Sequence, residues 1–329
     1  MAVAYVQGLQ GKDSRGGIVA TLKHFAAHGA SEGGRNRAPA HVLPRELREV
    51  HLFPFKAAIK IGRAGAVMNA YHALDGVPCA ASKELLSEIL RGEWGFDGVV
   101  ISDFFSIRML HTDQVVAEDR QKAGILALEA GLDVELPFVE CYGENLIDAV
   151  KKGLVSEKRV DEAVRRHLRM RLRMGLFEDP FVAESNACDV FEIAEQRELA
   201  REVARQSIVL LKNEGQLLPL GRDVKKIALI GPSANSTRNL LGDYSYSAHV
   251  ESPEDAVEII SILQEMQEAV GDSCEILYAP GWEILGSSTD GIVEAVQLAM
   301  EADVAIVVVG WYPRFSRLVQ LGCLLPRSR

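Results

Sequence analysis

The first half of the chain alternates short apolar runs with stretches in which apolar residues recur every three or four positions. The apolar runs predict strands at residues 18–22, 66–70, 99–101 and 132–136. The longer stretches predict helices near residues 46–61, 82–90, 121–130 and 160–172. The first of these helices restarts at Pro54, and the last closes at Gly175. Alternating strands and helices are typical of parallel β-α units. The pattern therefore predicts an α/β fold whose four units make half of a β/α barrel.

The same alternation resumes near residue 226. It predicts strands at 227–230, 275–278 and 304–309, with helices near 256–270 and 291–302. This is the pattern of a separate α/β/α sandwich domain. After Gly310 the periodicity stops, and the last nineteen residues carry four arginines. The predicted domains are a partial β/α barrel at 1–177, a linker with a connecting helix at 178–225, a partial α/β/α sandwich at 226–310 and an aberrant tail at 311–329.

Composition narrows the classes of function. The chain has 329 residues, with 36 Lys and Arg against 46 Asp and Glu, which gives a net charge of −10. We expect no nucleic-acid partner, because phosphate binding needs a clustered basic surface. We expect no membrane span, because the longest apolar run, 304–309, is far shorter than the about 20 residues that a membrane helix needs. Five scattered cysteines without a C-x-x-C pair argue against a disulfide framework and a zinc site.

Polar side chains stand where three of the predicted strands end. They are Asp103, the adjacent pair Lys23 and His24, and Tyr71 with Asn69. Each has an ordinary alternative, such as a helix-capping Asp, a Lys paired with a carboxylate, or a packed core residue. In a β/α barrel, however, the strand ends form one rim, and chemistry takes place there. We therefore predict a site at this rim, with Asp103 in a setting suited to a nucleophile.

Other motifs carry less weight. The glycine-containing segments 29–37 and 231–235 lack the G-x-x-x-x-G-K-[ST] and G-x-G-x-x-G patterns of phosphate and dinucleotide sites. No spacing typical of metal ligands is present, so we expect no cofactor and no metal. His28, His41 and His72 are isolated in the sequence, and we expect them in loops or at the surface.

Four segments, in order along the chain, resemble a known enzyme family. They are KHFAAHGASEGGRNRAP, VMNAYHALDGVPC, GEWGFDGVVISDFFSI and SIVLLKNEGQLLPL. Together they are similar to the signatures of glycoside hydrolase family 3, in its β-glucosidase and β-xylosidase branch. The resemblance covers about residues 15 to 310. It implies the C-terminal half of a β/α barrel followed by part of an α/β/α sandwich. It also implies an enzyme that hydrolyses β-linked glucosides or xylosides with retention and without a cofactor.

The resemblance also implies roles for particular residues. Asp103 matches the catalytic nucleophile, and Lys23 and His24 match a pair that binds sugar hydroxyl groups. Tyr71 matches a tyrosine that lies beside the nucleophile. Phe104 stands where the family commonly has a tryptophan that packs near the sugar, so the shape of the first sugar subsite is expected to differ.

Two parts of the family pattern have no match. The resemblance implies an Asp and an Arg that grip the sugar upstream of this sequence, and an acid/base Glu in the second domain. Neither upstream motif is found, and no Glu follows Glu301. We therefore expect a fragment with weak activity. Because the native N-terminus is then expected to be missing, the lack of a signal-peptide pattern leaves localisation unassigned.

Three alternatives remain open at this point. The first is a non-catalytic sugar-binding fragment. The second is a β-N-acetylglucosaminidase of the same family, for which His28 fits K-H-F-x-x-H-G but the D-x-H signature is missing. The third is a dinucleotide- or phosphate-binding enzyme, which the α/β pattern allows and the loops do not support. The expected partner is a β-glycoside or oligosaccharide, and the oligomeric state is unassigned.

Overall fold

The computed structural model describes residues 1–12, 17–181, 183–242, 245, 259–284 and 288–310, without the side chains of residues 187 and 188. The chain forms two compact units, one from Met1 to Phe191 and one from Glu192 onward. Each contains a three-stranded parallel sheet with helices, which confirms the predicted α/β class. The predicted tail at 311–329 lies outside the described residues. In the part of the chain that is described, no helix is both long enough and apolar enough to cross a membrane.

The strands are, in chain order, β1 (Thr21–Phe25), β2 (Ala66–Asn69), β3 (Ala73–Leu74), β4 (Val77–Pro78), β5 (Val99–Ile101), β6 (Lys226–Ile230), β7 (Glu275–Ala279) and β8 (Val304–Val307). In the first unit β2 is central, and β1 and β5 lie parallel on either side of it. The short strands β3 and β4 pair with each other in an antiparallel ribbon. The carboxyl ends of β1, β2 and β5 therefore lie along one edge of the sheet.

The predicted fourth strand, 132–136, runs beside β5 as expected but forms only one bridge, between Ile101 and Val134. The Asp133 carboxylate accepts a hydrogen bond from the backbone N–H of Val100 at 2.9 Å. A side-chain oxygen therefore takes part in the hydrogen bonds between this segment and β5. Pro137 follows directly and has no N–H to continue the pairing. These two features keep the segment from becoming a regular strand.

Helices fill the connections between the strands. In the first unit the longer ones are Ala2–Gln10, Phe53–Lys60, Ser106–Thr112, Arg120–Ala130, Glu144–Lys151 and Glu157–Arg173, with π-helical turns at Leu47–His51 and Glu84–Glu93. The predicted restart at Pro54 is confirmed, since Pro54 lies in the first turn of Phe53–Lys60. Gly175 has a φ of 74° just after the longest helix, in the left-handed conformation that ends helices.

Strand β1 lies three residues later than the sequence predicted. Lys23 and His24 are therefore inside the strand rather than beyond its end. The reason is the position of Phe25, whose ring is fully buried and makes edge-on contacts with Phe55 at 5.1 Å and Trp94 at 6.0 Å. The core of the first unit continues from these rings between the sheet and the helices. Its largest buried aliphatic side chains are Leu52, Leu85, Leu86, Ile89, Leu90, Ile107, Leu110 and Leu132.

The second unit follows the predicted alternation. Its strand β6 is central, with β7 and β8 parallel on either side. The helices Ile262–Val270 and Asp290–Glu301 precede β7 and β8, and Ala194–Ser207 is the predicted connecting helix. The helix predicted near 256–270 is Ile262–Val270, since residues 259–261 are not helical and the Ser261 side chain caps the helix by accepting from the N–H of Gln264. Residues 256–258 lie outside the described part.

Candidate active site

Asp103 lies in the turn that follows β5, and it is 8% exposed. Its Oδ1 accepts a hydrogen bond from the backbone N–H of Phe104 at 2.7 Å. Its Oδ2 has no hydrogen-bond partner among the described residues. Phe105, with a φ of 64°, is the N-cap of the helix Ser106–Thr112. The carboxylate of Asp103 therefore has one oxygen held by a backbone N–H and one buried oxygen without a hydrogen bond, and it does not cap this helix.

The turn that carries Asp103 is fixed to both of its neighbours. On one side the N–H groups of Ser102 and Phe105 donate to the carbonyls of Val134 and Leu136, each at 2.9 Å. On the other side the N–H of Asp103 donates to the side-chain oxygen of Asn69 at 3.2 Å. For Asn69, the sequence alone favours a role in core or loop packing. The backbone of Asp103 is thus held between β2 and the segment 132–136.

His24 approaches Asp103 across the central strand. Its Nε2 lies 3.4 Å from Oδ2 of Asp103, and its side chain is 13% exposed. Burial lowers the pKa of His24 to about 4, and the neighbouring His28, Lys23 and His72 act in the same direction. The carboxylate of Asp103 opposes this shift without reversing it. At neutral pH the imidazole is therefore uncharged, and it can donate one hydrogen bond and accept another.

Two further histidines extend this group and are therefore not isolated, although His72 lies in the expected loop position, between β2 and β3. The ring of His28 lies 4.5 Å from that of His24, and the ring of His72 lies 6.4 Å from that of His28. His72 is fully buried. Burial is the main cause that lowers the pKa of both His28 and His72. No periodic pattern in the sequence indicates this group, because residues 28 and 72 meet only through the pairing of β1 with β2. His41 stays at the surface as expected, 3.1 Å from Glu32.

Two other predicted site residues, Lys23 and Tyr71, differ in their contacts. The side chain of Lys23 is exposed, and its charge lowers the pKa of both His24 and His28. The carbonyl of Tyr71 accepts a hydrogen bond from Gln114 Nε2 at 2.7 Å. The guanidinium carbon of Arg37 lies 5.4 Å from the centre of the Tyr71 ring. Sequence reasoning had not singled out Gln114 or Arg37.

Phe104 leaves half of its surface (51%) open to solvent directly beside the buried carboxylate of Asp103. An exposed ring next to a buried carboxylate provides an apolar face and an anion side by side. No group of three or more His, Cys, Asp or Glu in the described residues has the geometry of a metal site.

Two family models match the chain. The model described as "Glycosyl hydrolase family 3 N terminal domain" covers residues 1–170, which is more than half of the chain. The chain belongs to glycosyl hydrolase family 3. The model described as "Glycosyl hydrolase family 3 C-terminal domain" covers residues 208–316. The family resemblance found in the sequence motifs is thereby confirmed.

Individual members of the family are similar over nearly the whole chain. A β-xylosidase of Formosa agariphila is 35% identical over 325 residues, which cover 94% of this chain and 44% of the relative. A periplasmic β-glucosidase of Salmonella typhimurium is 37% identical over 339 residues, which cover 94% of this chain and 43% of the relative. The solved structure of a β-glucosidase from Erythrobacter marinus superposes with a TM-score of 0.84 at 35% identity, over 94% of this chain and 43% of that one. The chain thus spans less than half of the length of each of these proteins.

Proposed function

We propose that this protein hydrolyses β-linked glucosides or xylosides with retention, and that Asp103 is the nucleophile. The observation that carries the proposal is the state of the Asp103 carboxylate. One oxygen is held by the N–H of Phe104 at 2.7 Å, and the other has no hydrogen-bond partner among the described residues. A fixed, largely buried carboxylate with one oxygen outside any hydrogen bond is suited to covalent catalysis at a sugar. The similarity to a β-xylosidase and a β-glucosidase supports this choice of substrate class.

In the proposed reaction Oδ2 of Asp103 attacks the anomeric carbon of the sugar. A carbon–oxygen bond to the carboxylate forms as the bond to the leaving oxygen breaks, and the electron pair of the broken bond stays with that oxygen. The leaving oxygen takes up a proton from solvent unless it is already a stable anion. In the second step the oxygen of a water molecule attacks the same carbon, the bond to Asp103 breaks with its electron pair on the carboxylate, and the proton that the water loses returns to solvent. Two inversions give net retention.

The same proposal gives roles to four neighbours. Lys23 and His24 bind sugar hydroxyl groups, Lys23 as a charged donor and His24 as a neutral donor and acceptor. Tyr71, which the family resemblance matches to a tyrosine beside the nucleophile, supports the sugar. Phe104 supplies an apolar face, consistent with its exposure next to Asp103. Of these, His24 has the strongest geometric support, through its 3.4 Å contact with Asp103.

We also propose that the sheet of the first unit is the C-terminal half of a β/α barrel. The parallel order of β1, β2 and β5 and the position of segment 132–136 beside β5 support this. On this view the barrel part runs over residues 1–177 and the linker over 178–225. The partial α/β/α sandwich then occupies residues 226–310.

Covalent labelling tests the proposed nucleophile. The 329-residue chain is incubated with 2,4-dinitrophenyl 2-deoxy-2-fluoro-β-glucoside or the matching xyloside. The dinitrophenolate leaves without protonation, so the first step depends on the nucleophile and on sugar binding. We expect one glycosyl group on Asp103, located by peptide mass spectrometry, and no labelling of Asp103→Asn. Asp97→Asn, which changes a half-exposed carboxylate, is the matched control and should label like the wild type.

Labelling of a different carboxylate would contradict the assignment of Asp103. If calorimetry detects glucose or xylose binding while neither turnover nor labelling occurs, the non-catalytic sugar-binding alternative is favoured. Faster turnover of an N-acetylglucosaminide than of a glucoside or xyloside would favour the other branch of the family.

A further inference from the structure

We propose that Asn69 positions the nucleophile, because its side-chain amide fixes the backbone of Asp103 against the end of strand β2. This inference rests on the proposed function of Asp103. It assigns a role to a side chain that takes no part in the bond changes at the sugar. The evidence for this role is three hydrogen bonds made by the buried side-chain amide of Asn69.

Asn69 is the last residue of β2 and is fully buried. Its Oδ1 accepts from the N–H of Asp103 at 3.2 Å and from the hydroxyl of Ser106 at 3.1 Å. Its Nδ2 donates to the carbonyl of Ala70 at 2.7 Å. One amide thus holds both ends of the turn between β5 and the helix that follows it.

The position of this amide in the sheet explains why it acts on Asp103 in particular. The regular pairing of β2 with β5 ends with Met68 opposite Ile101. Beyond that pair, the Asn69 side chain supplies an acceptor that the backbone of β2 does not. In the register of β2 with β1, Asn69 also lies opposite Phe25, the residue after His24. The amide therefore lies between the strand that carries His24 and the turn that carries Asp103.

The amide is also the appropriate chemical group for this place. It both donates and accepts, which a carboxylate or a methyl group cannot do. A carboxylate at position 69 could still accept from Asp103 N–H and Ser106, but it would lose the donor to Ala70. It would also bring a second negative charge close to the Asp103 carboxylate and disfavour its ionisation. The variant Asn69→Ala therefore removes the acceptor for the N–H of Asp103, whereas Asn69→Asp keeps an acceptor and adds a negative charge.

Three measurements on the full 329-residue chain test the proposal. Hydrogen exchange of the Asp103 backbone amide reports directly on its hydrogen bond to Asn69 Oδ1. The pH dependence of carbodiimide modification of Asp103 reports the ionisation of its carboxyl group. Neither measurement requires glycosidase activity. The rate of labelling by the 2-fluoro sugar reports the geometry of the nucleophile. Ser106→Ala is the control, because it removes a hydrogen bond to the same Oδ1 and leaves the one from Asp103.

In Asn69→Ala we expect amide exchange at Asp103 to rise about tenfold or more, with exchange at Val99 unchanged. Labelling should slow by about 10- to 100-fold, since small displacements of a reacting group are costly. In Asn69→Asp the Asp103 amide should stay protected, while the midpoint of carbodiimide modification moves to higher pH. Ser106→Ala should label within about threefold of the wild type.

Unchanged exchange at Asp103 in Asn69→Ala would overturn the proposal, as would equal slowing of labelling in Ser106→Ala. Identical modification profiles for Asn69→Asp and the wild type would overturn it as well. If Asn69→Ala does not fold, the pH dependence of carbodiimide modification of Asp103 in Asn69→Asp still tests the proposal. If the wild type is not labelled at Asp103, the proposed function fails, and exchange and modification still decide whether Asn69 positions this carboxyl group.

Discussion

His24 Nε2 lies 3.4 Å from Asp103 Oδ2, and yet the pKa of His24 is lowered, to about 4. A carboxylate at this distance favours the protonated imidazole. Burial acts more strongly in the opposite direction, and the positive charge that Lys23 contributes nearby adds to it. The contact is therefore a neutral imidazole beside a carboxylate at neutral pH. Such an imidazole can bind a sugar hydroxyl group without neutralising the nucleophile.

The lowered pKa of His24 predicts a pH dependence of stability. Below pH 6.5 an unfolded chain protonates this histidine, whereas the folded chain does so only near pH 4. The unfolded state then binds more protons, so the free energy of unfolding falls as the pH falls from 6.5 towards 4. For His24 the loss amounts to at most about 3 kcal/mol. Above pH 6.5 this contribution is complete and constant.

Urea unfolding of the wild type and of His24→Gln checks this dependence. The buried Trp94 reports on the first unit if Trp282 and Trp311 are replaced by Phe. We expect the difference in unfolding free energy between the two proteins to change between pH 4 and pH 6.5 and to be constant above. A difference that is the same at pH 4.5 and at pH 7 would contradict a neutral buried His24.

Lys23→Ala should impair catalysis without affecting the fold. The side chain is exposed, so its loss should leave the urea midpoint unchanged. As a charged donor to a sugar hydroxyl, it should contribute more in the transition state than in the ground state. We expect the second-order rate of labelling by the 2-fluoro sugar to fall by about 100-fold, equivalent to about 2.7 kcal/mol. A lower urea midpoint with unchanged labelling would make Lys23 a structural residue.

Phe104→Ala should weaken sugar binding and leave stability unchanged. Half of the ring is exposed, so little buried surface is lost on its removal. Loss of its apolar face should reduce the efficiency of labelling at low sugar concentration by about tenfold. The dependence of the labelling rate on sugar concentration measures this effect. Phe104→Trp should keep or improve the efficiency, and a loss equal to that of Phe104→Ala would exclude a packing role.

Asp133 should matter for stability and not for chemistry. Its fully buried carboxylate lies 2.7 Å from Arg91 Nη2 and 2.8 Å from Arg166 Nη2. Asp133→Ala leaves two largely buried guanidinium groups without this partner, which should cost about 3–5 kcal/mol. Asp97→Ala is the control, because Asp97 pairs with Arg173 at an exposed position, and it should cost less than about 1 kcal/mol. Urea unfolding followed by the fluorescence of Trp94 measures the loss of unfolding free energy in both variants. Equal losses would contradict the expectation that the buried ion pairs of Asp133 matter more than the exposed one of Asp97.

The order of elements could be predicted from the sequence because it follows from local periodicity and local turn residues. Val160, Val164, Leu168 and Leu172 recur at helical spacing, and the helix Glu157–Arg173 lies where they predict it. The last three of these side chains are nevertheless 42–53% exposed, and the buried residue of the helix is Ala163. Gly175 marks its end through the left-handed backbone that glycine readily adopts. Asp103 could be identified as a polar residue at the end of a strand, because the apolar run Val99–Ile101 ends two residues before it. Each of these predictions depends on neighbours within one or two turns of the chain.

The tertiary structure alone decided which polar groups meet. Nothing within a few residues of Asn69 indicates that its amide accepts from Asp103, 34 residues later. Likewise His24, His28 and His72 come together in one group only because β1 pairs with β2. Hydrophobic periodicity indicates the type of an element, and it carries no information about the partner on another strand. Hydrogen bonds and pKa values depend on that partner and on its distance, so they are determined only when the strands are brought together.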